Sequence, residues 1–141
     1  MAEGDASVPN NFKEQLFLKQ IDCDSDTFKI ALYSTGQFVV DGAAVSYSSS
    51  NELAVDNYDA GGAAISSPVV TQDDTNDLAK WDDDGSDVTW SSLGASTIRQ
   101  AVLYDDTSTP KHVCVFWEIA TDSNGGDYTL SFSASGIMTI S

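Results

Sequence analysis

The chain has 141 residues, of which 22 are Asp or Glu and only 6 Lys or Arg, for a formal net charge of -16; 41% are apolar and 10% aromatic. A domain of that length hides roughly 70% of the surface its unfolded form exposes, so a conventional core is within reach. The charge excludes nucleic acid as a partner: counterion release needs clustered cations, and Lys13, Lys19, Lys29, Lys80, Arg99 and Lys111 are scattered.

Residues 1–11 are small, polar and aperiodic, which predicts a flexible N-terminal arm ahead of a single β-sandwich domain over 12–141. They contain no basic n-region and no apolar h-region, so no secretory leader is expected. Asn11 is placed to cap a short helix over 12–19, with Phe12 and Leu16 on one face. After the turn-like Asp22-Cys23-Asp24-Ser25-Asp26, residues 27–33 alternate with Phe28, Ile30 and Leu32 on one side, the pattern of a half-buried strand. The stretch 34–62 is rich in Ser, Gly, Asn and Asp and reads as a long, partly ordered excursion.

Beyond Gly61-Gly62 short β candidates follow at regular spacing: 63–72, 78–82 and 87–90, with Asp82-Asp83-Asp84-Gly85 as the turn between the last two. Next come 97–104, with Ile98, Val102 and Tyr104 on one side, and 113–119, where Val113, Val115 and Trp117 alternate with Cys114, Phe116 and Glu118. Tyr128, Leu130 and Phe132 before Ser135-Gly136, with 137–140 returning, give the clearest hairpin signal. About eight short strands of this kind predict an all-β fold, an antiparallel sandwich or barrel-like domain with a short N-terminal helix. No apolar run approaches the ~20 residues of a membrane helix, so no membrane partner is expected.

Few residues invite chemistry. Asp22, Asp24 and Asp26 have the odd spacing with which calcium loops begin, yet Thr27 stands where the sharp turn wants Gly and Tyr33 where a bidentate Glu closes such a site. Asp82, Asp83, Asp84 and Asp87 form a second acidic loop around Gly85, read as a hairpin tip. Cys23 and Cys114 belong to no zinc pattern and are expected as free thiols, Cys114 in the core. The lone His112 reads as a surface or strand-entry residue, no nucleophile elbow occurs, and nothing selects a carboxylate pair for glycoside hydrolysis. Trp81, Trp90 and Trp117 read as core residues ahead of sugar platforms, and the five tyrosines as rim-of-core residues. No catalytic, cofactor-binding or metal site and no cofactor are assigned, and an enzyme is not expected.

The order of motifs carries a resemblance. Asn11-Phe12-Lys13-Glu14 followed by 21–33, containing Asp22-Cys23-Asp24-Ser25-Asp26-Thr27-Phe28-Lys29, resembles the opening of a group of small tailed-phage virion structural proteins, with a short helix before a D-x-D-S-D-T-F-K-x-A-L-Y strand. Tyr47-Ser48, Asn51-Glu52, Tyr58-Asp59-Ala60-Gly61-Gly62 and Val88-Thr89-Trp90 follow in the same order. Arg99 to Asp106 is similar to the group's R-x-A-x-x-Y-D-D strand, and 128–132 with Gly136-Ile137 close the match. The chain departs from the pattern at Trp81-Asp82-Asp83-Asp84 and Phe116-Trp117-Glu118, where the group often has D-F-D or D-F-G.

This resemblance implies a non-enzymatic virion structural protein of the capsid cement or decoration kind. Such a protein binds the outer capsid surface, with the major capsid protein as partner, is assembled in the host cytoplasm and is a homotrimer at three-fold sites of the lattice. Residues 1–11 and 34–62 are the expected lattice contacts. The competing expectation is a tail or fibre component acting as a glycan- or receptor-binding module, which needs exposed aromatics clustered with Asp and Asn.

Overall fold

The computed structural model describes residues 6–141; the first five residues of the expected arm lie outside the described part. The fold is mostly β: among the described residues there are nine short antiparallel strands in three sheets, one short N-terminal helix and no closed barrel. The helix α1 spans Asn10–Phe17. Strands β1 (Phe28–Tyr33), β2 (Ala63–Ala64), β6 (Gln100–Asp105) and β7 (Val113–Glu118) form a four-stranded sheet in the order β2-β1-β6-β7. Strands β3 (Val69–Asp73), β4 (Leu78–Asp82) and β9 (Met138–Ile140) form a second sheet in the order β3-β4-β9, and β5 (Val88–Trp90) pairs with β8 (Tyr128–Leu130).

Helix α1 starts two residues earlier than the sequence suggests. Pro9, with φ -61 and ψ 145, takes the cap position and makes no side-chain cap bond, its ring having pre-set the entry angle. Asn11 therefore lies inside the first turn, and its Oδ1 sits 3.1 Å from His112 Nδ1. The helix ends in a Schellman motif: Gln20 N–H donates to Gln15 O at 3.0 Å and Lys19 N–H to Leu16 O at 3.2 Å, with Lys19 left-handed at φ 57. Ahead of the helix, Ser7 exchanges two backbone hydrogen bonds with Phe116 at 2.8 and 3.0 Å, lying along the outer edge of β7.

Strand β1 is the first correction. It is covered on both faces, with Phe28, Ile30 and Leu32 in the main core and Ala31 and Tyr33 in a second cluster. The second face is covered by the 34–62 excursion, which delivers Phe38 and Tyr47 onto Tyr33 and Tyr104. In β7 the simple alternation fails: a β-bulge between Leu103/Tyr104 and the facing strand pairs Tyr104 with Val113 and Leu103 with Val115. Cys114 is the extra residue, so Val113 and Val115 point to opposite faces. Ile98 precedes β6 and joins the main core, away from Val102 and Tyr104.

The remaining differences are of pairing. Residues 63–72 hold two strands in different sheets, separated by a bend at Ser66 and a left-handed Ser67 at φ 43. Strands β4 and β5 do not pair, so the 82–87 loop crosses between sheets and is no hairpin tip. Nor do β8 and β9: a tight turn closes with Gly136 N–H on Ser133 O at 2.8 Å, after which Ile137 N–H donates to Trp81 O at 2.8 Å and carries the chain onto β4. The main core spans all three sheets, with Phe12, Phe28 and Trp81 at one end, the Phe12 and Trp81 rings stacked at 6.0 Å and Phe28 set edge-on at 4.9 Å.

Candidate functional site

In the 22–26 turn the oxygens are engaged locally: Asp22 Oδ1 accepts from the N–H groups of Asp24 (3.1 Å) and Ser25 (3.2 Å), and Asp26 Oδ2 from Asp22 N–H (2.8 Å). The Ser25 side chain first, and the Asp24 and Ser25 N–H groups with it, hold Asp22 below the usual carboxylate range. The turn thus reads as an Asx-type entry into β1. Among the described residues, no group of three or more His, Cys, Asp and Glu side chains is arranged to hold a metal.

In the 82–87 loop Asp83 is buried, which pushes its carboxyl up despite the bond from Gly85 N–H at 3.0 Å. Its Oδ2 has no hydrogen-bond partner, and the loop shares a cleft of about 370 Å3 with Phe132, Ser133 and Ala134. Asp105 repeats this at the end of β6. It is fully buried, Oδ1 accepts from Thr107 and Ser108 N–H groups at 2.8 and 3.1 Å, and Oδ2 has no partner. Burial first, and the neighbouring Asp26 carboxyl with it, push Asp105 up. The residue after it behaves oppositely: burial raises Asp106, but its contacts with Lys111 and with Lys29 (3.1 Å) win and hold it low.

The aromatic and sulfur residues are structural. Trp81, Trp90 and Trp117 are 3%, 6% and 4% exposed, which withdraws all three from any stacking platform. Of the tyrosines only Tyr47 is half-buried, and it donates to Glu52 Oε2 at 2.6 Å. His112 stands at the entry to β7 but is buried there, and desolvation pulls its pKa down. Cys114 is fully buried and Cys23 half-buried; desolvation raises both thiols, Cys23 to about 12, which leaves neither a reactive thiolate at neutral pH.

A carboxylate that sequence reasoning passed over organises the excursion. Glu52 accepts from the Tyr47 and Tyr58 hydroxyls at 2.6 and 2.8 Å and from Gly61 N–H at 2.7 Å, while Tyr58 Oη itself accepts from Leu32 N–H at 2.9 Å. This ties the excursion to β1. The hydrophilic composition of 34–62 concealed this role, although Tyr47, Glu52, Tyr58 and Gly61 all stand in the motifs that carry the resemblance.

Among the described residues, several exposed apolar side chains gather in one region, apart from Val39 and Val40 of the excursion. Phe17 and Leu18 at the end of α1 are 89% and 57% exposed, and Ile140 and Val70 on the β3-β4-β9 sheet are 56% and 46% exposed. Between them run two adjoining clefts. One of about 590 Å3 lies between α1 and β9, lined by Val8, Phe12, Lys13, Leu16, Phe17 and Ile140 among others; one of about 400 Å3 reaches Trp81, Ala79, Val70 and Lys19. Four of the six cations, Lys29, Lys80, Arg99 and Lys111, form ion pairs with aspartates. Lys13 and Lys19, which form none among the described residues, both line these clefts.

Against known proteins, no family model matches the chain, and neither a curated protein nor a solved structure does. No helix among the described residues is long and apolar enough to cross a membrane.

Proposed function

We propose that the protein is a non-enzymatic structural component of a phage virion, a capsid cement or decoration protein that binds the outer surface of the major capsid protein lattice as a homotrimer. The observation that carries this reading is how the resembling motifs fit together. The strand of the D-x-D-S-D-T-F-K motif and that of the R-x-A-x-x-Y-D-D motif are neighbours in full register, from Phe28 opposite Asp105 to Tyr33 opposite Gln100. Lys29 of the first is ion-paired with Asp106 of the second, and Tyr104 donates to Gly61 O of the Tyr58-to-Gly62 motif at 2.7 Å. Motif residues distant in sequence thus build one scaffold, which supports treating the resemblance as a likeness of whole domains.

A protein that binds an assembled shell and not its dispersed subunits stabilises the shell by mass action and needs no reaction chemistry. The acidic surface keeps it off packaged DNA. Burial of all three tryptophans counts against a tail glycan-binding module, which calls for exposed aromatics clustered with Asp and Asn.

The test is stoichiometry by quantitative mass spectrometry of purified particles, with binding of the recombinant protein to particles lacking it. Cement predicts on the order of hundreds of copies per particle, set by lattice symmetry, and restored heat resistance on rebinding. A few to tens of copies that co-purify with tails would replace this reading by the tail one.

A further inference from the structure

We propose that Asn124 is a site of spontaneous deamidation through its own backbone, and that the isoaspartyl product releases the clamp by which the 124–127 turn holds the buried Leu93. The chemistry is intramolecular and independent of what the protein binds.

The reaction starts in the sequence. Asn124 is the one asparagine of the chain that precedes a glycine; Asn10, Asn11, Asn51, Asn57 and Asn76 precede Asn, Phe, Glu, Tyr and Asp. A side chain on the following residue obstructs attack of its backbone nitrogen on the asparagine Cγ, and glycine has none. Asn124 and Gly125 are both exposed, and beyond the chain neighbours nothing lies within 4 Å of where a Gly125 Cβ would stand. Water and hydroxide therefore reach the reacting atoms.

The turn then arranges those atoms. Asn124 Oδ1 accepts the Gly126 N–H at 3.2 Å, which folds the side chain over the intervening Gly125 peptide and keeps Cγ beside the nitrogen it has to bond. The same N–H polarises the side-chain carbonyl and stays in place to receive the negative charge that Oδ1 gains in the tetrahedral intermediate. The leaving nitrogen is unencumbered as well. Asn124 Nδ2 donates to nothing among the described residues, whereas those of Asn51, Asn57 and Asn76 donate to Gln37 Oε1, Ser92 O and Asp73 Oδ2 at 3.1, 2.9 and 2.8 Å.

One bond opposes the reaction and sets its pace. Gly125 N–H donates to Leu93 O at 2.9 Å, and Leu93 N–H to Gly126 O at 3.0 Å. The first must open before hydroxide takes the Gly125 proton. The nitrogen then attacks Cγ, the bond from Cγ to Nδ2 breaks, and ammonia leaves with a proton from water as a five-membered succinimide closes. Water adds to either ring carbonyl and reopens it as an aspartyl or an isoaspartyl residue, so that the sum is one water consumed and one ammonia released. The charged groups flanking the turn are already engaged: Asp122 is paired with Arg99, and Asp127 accepts from Ser92 N–H.

The isoaspartyl form has an extra carbon in the main chain ahead of Gly125, so Gly125 N–H and Gly126 O no longer both meet Leu93. Leu93 is fully buried and its neighbours hold the excursion: Ser92 O accepts from Asn57 Nδ2 at 2.9 Å, and Gly94 N–H donates to Asp56 O at 2.9 Å. Loss of the clamp thus reaches 56–57 from a turn on the surface.

The experiment incubates the whole folded chain in warm, mildly alkaline buffer beside a sample in urea, with peptide mapping by mass spectrometry and enzymatic methylation of isoaspartate. The mass gain of an amide-to-acid conversion is expected first in the peptide carrying Asn124, at a rate within tenfold of that in urea. Gly125→Ala is expected to slow it at least tenfold even though the substitution loosens the turn, the opposite of what destabilisation alone produces. Asn124→Asp, which adds the charge without lengthening the main chain, should melt as wild type does. The isolated isoaspartyl fraction should melt lower and lose hydrogen-exchange protection at Leu93. Conversion that begins at another asparagine, or a folded chain that stays intact while the urea sample converts, overturns the site. A Gly125→Ala variant that converts as fast as wild type overturns the attack by the Gly125 nitrogen, and an isoaspartyl fraction that melts as wild type does overturns the release of the clamp.

Discussion

The side-chain amide of Gln100 hydrogen-bonds both ways with the backbone of Phe38: Oε1 accepts Phe38 N–H at 3.0 Å and Nε2 donates to Phe38 O at 2.8 Å. Oε1 also accepts Gln37 N–H at 3.0 Å and Nε2 reaches Glu118 Oε1 at 2.7 Å, so every polar valence of this buried amide is used. A glutamine in β6 thereby acts as one rung of a ladder for a segment with no strand of its own, and it seats Phe38 against Tyr33 at 5.3 Å.

Gln100→Ala should therefore detach 37–38 from the sheet. The buried Phe38 N–H and the partly buried Gln37 N–H lose their acceptor, at a cost of about 3 kcal/mol. Hydrogen exchange checks it: amides of 34–42 should lose protection while those of β1 keep theirs. Uniform loss across β1 and β6 would mean that the amide supports the whole sheet.

Glu52→Ala should loosen the opposite end of the same excursion. It strands the Tyr47 and Tyr58 hydroxyls and Gly61 N–H, costing about 3 kcal/mol, while Glu52→Gln keeps an acceptor for two of the three and costs about 1 kcal/mol. Burial first, then the bond to Glu52, raises the Tyr47 phenol to about 12. Ultraviolet titration of the Gln variant should find that phenol ionising at lower pH, since a neutral partner no longer opposes the phenolate.

Gly62 is held where no side chain fits. Its φ is +76, and an added Cβ would lie 1.8 Å from Ile30 O and 2.6 Å from Ile30 C, both backbone atoms of a central strand that cannot yield. Gly62→Ala should cost more than about 3 kcal/mol or abolish folding, whereas Gly125→Ala, at φ +90 with open space around it, should cost about 1–2 kcal/mol for the left-handed backbone alone. Denaturant melts of the pair separate crowding from backbone strain.

The elements were legible in the sequence to the extent that alternation is a local signal. Strands are found at 78–82 and 113–118, inside the stretches that their apolar, turn-bounded runs mark out, because each strand's own side chains set its position. Pairing was not legible. Tyr128 to Leu130 and Met138 to Ile140 flank a turn and look like a hairpin, yet the first completes β5 and the second β4, since those partners offer Trp90 and Trp81 to pack against. The bulge at Cys114 was hidden for a related reason: an inserted residue in a run apolar on both faces leaves no break in pattern. Nor was the anchoring of 34–62 legible: its hydrophilic composition hides that it is bound to its own sheet through Gln100 and Glu52. The α1 and β9 cleft arises only when Phe17, Lys19 and Ile140, each unremarkable in sequence, come together in space.

Stability should depend on pH in two opposed windows. Asp105 and Asp83 have folded pKa values raised above their ordinary 3.8, so the folded state binds more protons than the unfolded one between those values. Their burial costs stability at neutral pH, and the cost is relieved as pH falls through the raised values. Asp106 and Asp122 are lowered, so the stability from Lys111 and Lys29 and from Arg99 is present above 3.8 and is lost as pH falls below it. Melting temperature should thus climb on acidification from neutral pH and then drop steeply in strong acid. Relief of the overall charge of -16 adds to the climb, so the informative quantity is a difference between variants. Asp105→Asn keeps an oxygen for the Thr107 and Ser108 N–H groups and removes the buried charge; it should raise the melting temperature at pH 7 and converge with wild type once Asp105 is protonated. Parallel melting curves offset equally at every pH would show that the gain comes from packing and not from titration of Asp105.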